Sequence, residues 1–67
     1  MRNETAIRFA EITVGLLENS IEYLTKAAKD AVDDSYLLYE VEGEIRNTKT
    51  HLAVVKGTLA ALQGVSK

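Results

Sequence analysis

The sequence predicts an all-α protein: an antiparallel two-helix hairpin that oligomerises into a helical bundle. Three observations lead there. Apolar residues recur at alternating steps of three and four through both halves of the chain, the period of a helix buried along one stripe. The phase of that pattern breaks once, near the middle, beside a cluster of helix-capping residues. Each half also carries a second regular line, which a lone hairpin has no second partner to cover.

The first helix repeats Ile7, Ala10, Val14, Leu17, Ile21, Leu24, Ala28 and Ala31. The second repeats Leu38, Val41, Ile45, Thr48, Leu52, Val55, Leu59 and Leu62. Extending the first pattern into the second half would bury Glu42 and Lys49, so the phase must change between residues 31 and 38. Asp33, Asp34 and Ser35 lie there, all good N-cap residues. The reading is one domain over residues 1–67, with a helix over about 3–31, an acidic turn over about 32–35 and a helix over about 35–64. No Gly or Pro marks the turn, which leaves one long bent helix as the alternative. Glu4 with Arg8, Glu22 with Lys26 and Glu42 with Arg46 are acid-before-base pairs at helical spacing, each contributing a few tenths of a kcal/mol.

The second lines differ in character. On the first helix Phe9, Thr13, Leu16, Ser20, Tyr23 and Ala27 alternate large with small, about 110° around the helix from the first stripe. On the second helix Thr50, Ala53, Gly57, Ala60 and Gly64 are all small, and Gly43 extends the line. Gly inside a helix costs about 1 kcal/mol relative to Ala, so its recurrence on one line suggests close approach by another backbone, the alternative being a solvent-facing line where Gly is tolerated and Gly64 caps the helix. Phe9, Leu16 and Tyr23 of one subunit are therefore expected to pack on Ala53, Gly57 and Ala60 of another, or the hairpins to pair as a four-helix bundle.

Composition narrows the classes. The chain has 67 residues, 46% hydrophobic and 27% charged, with a formal net charge of −2. A chain this short rarely gains more than about 3–5 kcal/mol from its own core, so small domains usually add a staple. The absence of Cys excludes disulfides, and a single His leaves no Cys/His zinc site, so the expected staple is self-association or a partner. Ile12 to Leu17, the longest uncharged stretch of the first half, is far shorter than the ~20 residues of a membrane span. Met1 to Glu4 shows no apolar run of the signal-peptide kind, and a cytoplasmic location is expected.

Chemistry-bearing residues are scarce. His51 falls beside the stripe residue Leu52 and reads as a surface or interface imidazole. Glu18 and Glu22 share a helix face, but no Glu-x-x-His accompanies them, so neither a carboxylate metal site nor any cofactor is expected. Glu40, Glu42 and Glu44 alternate and so scatter around a helix. No phosphate-binding or dinucleotide glycine pattern is present, and the chain reads as a non-enzyme.

Charge is segregated. Acids outnumber bases in residues 1–34, whereas residues 45–67 hold Arg46, Lys49, Lys56 and Lys67 and no acid. Arg46, Lys49 and Lys56 border the glycine line, a strip that could hold a phosphate or be neutralised by the acids of the first helix. Tyr36 and Tyr39 stand at the start of the second helix, placed either to stack on a ligand or partner or to be half-buried at the hairpin end.

The segment Ile45-Arg46-Asn47-Thr48-Lys49-Thr50-His51-Leu52 resembles the second helix of the phage anti-CBASS cyclic-oligonucleotide sponges. A turn later the chain departs from that family, with Lys56-Gly57-Thr58 where an aromatic Met-Trp pair is expected. The resemblance implies sequestration of a small anionic nucleotide between subunits, with Tyr36, Lys49 and Lys56 as contacts and Arg46 beside them. In size, acidity and two-helix build the chain also looks like type III secretion needle co-chaperones.

The leading expectation is a non-catalytic, self-associating hairpin that binds a protein partner as adaptor, inhibitor or co-chaperone. The nucleotide sponge is the alternative. A Rop-like four-helix bundle binding RNA is a second alternative, against which the net charge weighs, so nucleic acid is not an expected partner.

Overall fold

The computed structural model describes residues 3–66, with side chains through residue 64. Two helices make up the fold: α1 (Glu4–Asp30) and α2 (Ser35–Ser66). They pack against each other as a hairpin 51 Å long and 14 by 11 Å across. A single continuous helix of this chain would be roughly 100 Å long, so the bent-helix alternative is set aside.

Each boundary has a local cause. The Asn3 carbonyl accepts the Ile7 N–H at 2.8 Å and opens α1, while the Asn3 side chain makes no cap. Glu4 stands in the first turn of α1 and Lys29 in its last, both matched to the helix dipole. The Ala31 N–H still reaches the Ala27 carbonyl at 2.9 Å, and the Asp34 N–H closes the turn on the Ala31 carbonyl at 2.9 Å. The Asp34 carboxylate then accepts the Leu37 N–H at 3.0 Å, which makes Asp34 the N-cap of α2. Nowhere in the turn does φ become positive, so it needs no glycine.

The two predicted stripes face one another. Every member of the α1 stripe from Ile7 to Ala31 and of the α2 stripe from Leu38 to Leu62 is buried or half-buried. Among the described residues only Ala10 and Ala31 are buried, because two helices enclose no interior. The accessible surface is 5182 Å², against about 4,200 Å² for a compact folded protein of this mass. The radius of gyration is 15.3 Å, against about 11 Å for a compact domain of this length.

Of the three expected pairs at helical spacing, Glu22 and Lys26 meet, at 3.8 Å, and both are largely exposed. Glu4–Arg8 and Glu42–Arg46 do not close among the described residues. A pair the spacing does not announce joins the helices: Lys56 Nζ lies 3.7 Å from Glu18 Oε2. Half-exposed and screened, it helps orient the hairpin more than it stabilises it.

A candidate interaction surface on the flank of α1

The second line of α1 runs along an open flank of the hairpin. Phe9 is 70% exposed, Leu16 60% and Tyr23 73%, and between them Thr13 and Ala27 are half-covered and Ser20 is exposed. The stripe that faces α2 and this one lie about 110° apart, so one neighbouring helix covers only the first. The Thr13 hydroxyl donates to the Phe9 carbonyl at 2.9 Å within α1. Its polar group is thereby satisfied inside the helix, and Thr13 suits an apolar contact. Ile12, 57% exposed, adds to this surface one turn from both Phe9 and Leu16. Its spacing from those two residues was the available signal.

Beside Leu16 and Tyr23 the surface dips into an open groove of about 450 Å³. Leu16, Asn19, Ser20 and Tyr23 line it from α1, and Glu44 and Thr48 from α2. Its one ionisable charged lining residue is an acid, a poor environment for an anionic ligand.

The small line of α2 lies elsewhere. Ala53, Gly57 and Ala60 are exposed, and one chain does not bring them against Phe9, Leu16 or Tyr23. A methyl group built on Gly57 or Gly64 would meet nothing within 4 Å, so nothing inside the hairpin requires glycine at either position. At Gly43 the nearest atom is Nη2 of Arg46, at 3.8 Å, an ordinary contact.

The residues expected to touch a ligand are spread out along α2. Tyr36 stands exposed near the turn and Lys56 is twenty residues on, about 30 Å along the axis. Arg46 and Lys49 are exposed between them, and Lys56 faces Glu18. Lys67 lies outside the described residues. A ligand touching the whole set would need residues from more than one subunit. Glu18 and Glu22 each face a lysine, Lys56 and Lys26 respectively, rather than a common point. Among the described residues no group of three or more His, Cys, Asp or Glu is placed to hold a metal. No described helix is long and apolar enough to cross a membrane.

A second exposed apolar group sits at the turn, where Val32, Tyr36 and Tyr39 are all exposed. Comparison with family models, curated proteins and solved structures finds no match for this chain.

Proposed function

We propose that this chain is a non-catalytic helical hairpin that self-associates and acts by binding a protein partner, as an adaptor, inhibitor or co-chaperone. The observation that carries the reading is the row Phe9, Leu16 and Tyr23, three large apolar side chains left 60–73% exposed on a hairpin with only two buried residues among those described. Contiguous exposed apolar surface of that kind marks an interaction site. The α1 flank serves self-association. Tyr36 and Tyr39 at the turn offer the partner a separate contact of the type common at protein interfaces.

Mass in solution tests the first half of this reading, and retention of a partner tests the second. A Tyr36→Ala, Tyr39→Ala variant is expected to keep the assembled mass and lose a protein that the parent chain retains at stoichiometric level. Equal retention by both removes the turn from the account. The nucleotide-sequestering and RNA-binding readings draw less support, since Lys56 is matched by Glu18 and Glu44 lines the groove.

A further inference from the structure

We propose that the partner of the α1 flank is the same flank of a second copy, docked antiparallel about a twofold axis level with position 18. This rests on the self-association read above and specifies its geometry. The line Phe9, Thr13, Leu16, Ser20, Tyr23 and Ala27 alternates large and small, and carries no charge. Antiparallel seams bring the two alternating positions of the line opposite each other, rather than each against its own kind. With the axis at position 18, Phe9 falls against the partner's Ala27, Thr13 against the partner's Tyr23, and Leu16 against the partner's Ser20. All six residues find a counterpart of complementary size, and the symmetry repeats each match twice. The seam spans about 27 Å of helix, and the small members let the axes approach toward the short end of the usual 8–10 Å.

The groove supports the same register. Ser20 lines the depression of about 450 Å³ next to Leu16 and Tyr23. The match of Leu16 with the partner's Ser20 places one leucine over each of the two grooves. The outer edge of the seam holds Ile12, Asn19 and Lys26, spaced by seven. Antiparallel docking sets Ile12 beside the partner's Lys26, whose methylene stem can cover it while the ammonium stays in water. It also sets Asn19 beside the partner's Asn19 on the axis, where two amides can hydrogen-bond and fix the register.

The alternatives fit less well. Parallel pairing stacks large on large at Phe9, Leu16 and Tyr23 and leaves Ser20 facing the partner's Ser20. Docking the α1 flank on the small line of the partner's α2 is a heterologous contact, which builds rings or open chains instead of closing at two copies.

The chain has no Cys, so introduced thiols report without background. The test mixes Ile12→Cys and Lys26→Cys chains, both changed at the seam's edge, and treats them with a short bis-maleimide. Cross-links between positions 12 and 26 are expected, with none from 12 to 12 or from 26 to 26, on a species of dimeric mass by light scattering. In a second arm, Ser20→Leu places a large residue opposite the partner's Leu16. Ser20 is exposed in the hairpin, so helical content by circular dichroism is expected to persist while dimerisation weakens at least about a hundredfold. A dimer without the 12-to-26 link, a larger assembly, or a Ser20→Leu dimer of unchanged affinity overturns this geometry and leaves self-association standing. A parent chain of monomeric mass overturns both.

Discussion

Leu16 and Leu17 are chain neighbours of identical chemistry with opposite environments. Leu17 belongs to the stripe that α2 covers and is half-buried, whereas Leu16 stands 60% exposed on the open flank. The same contrast holds between Val14 or Ile21 and Phe9 or Tyr23. Burying the first set requires only the chain itself, because the turn at Ala31 to Asp34 returns α2 along it. Burying the second requires another molecule. In the proposed assembly one helix therefore divides its apolar surface between folding and association, at an angle of about 110°.

The largest expected effect is on the inner stripe. Leu17→Asp puts a carboxylate between the helices, and the hairpin is expected to lose most of its helical signal in far-ultraviolet circular dichroism at any protein concentration. Leu16→Asp sharpens the contrast. It is expected to abolish assembly, so that melting becomes independent of concentration, whereas the parent chain melts higher as concentration rises. If Leu16→Asp and Leu17→Asp behave alike, the division between the two seams fails. Next in size is the cap. Asp34→Ala removes the acceptor of the Leu37 N–H and is expected to cost about 1 kcal/mol in chemical denaturation. Ser35→Ala lies one residue inside α2 and is expected to cost much less.

The smallest effect concerns the line on the other helix. Gly57→Ala adds a methyl group that meets nothing within 4 Å, so it is expected to stabilise the protein by up to about 1 kcal/mol with no change in mass. A loss of stability or of assembly would show instead that another helix lies against α2 there.

The helices and their covered faces were legible because periodicity reports directly on which residues share a face, and both stripes are covered as the spacing predicts. The turn was located by the need to keep Glu42 and Lys49 out of the core. Its detailed form was less legible. Asp33, Asp34 and Ser35 are equivalent as cap residue types, and backbone geometry alone selects Asp34. The missing glycine, which had left a bent helix open, follows from a turn with no positive φ. The Glu18–Lys56 pair was hidden because it depends on the register between the helices, which neither helix's period contains. For the same reason the sequence marked both second lines without saying that they lie apart on the hairpin.

The most direct test of the account is the mass of the parent chain in solution, measured by light scattering behind a sizing column next to Leu16→Asp. The account predicts twice the 7.4 kDa chain mass for the parent and the chain mass itself for the variant. A parent chain that is monomeric at micromolar concentration would contradict it, since Phe9, Leu16 and Tyr23 would then have no second copy to cover them.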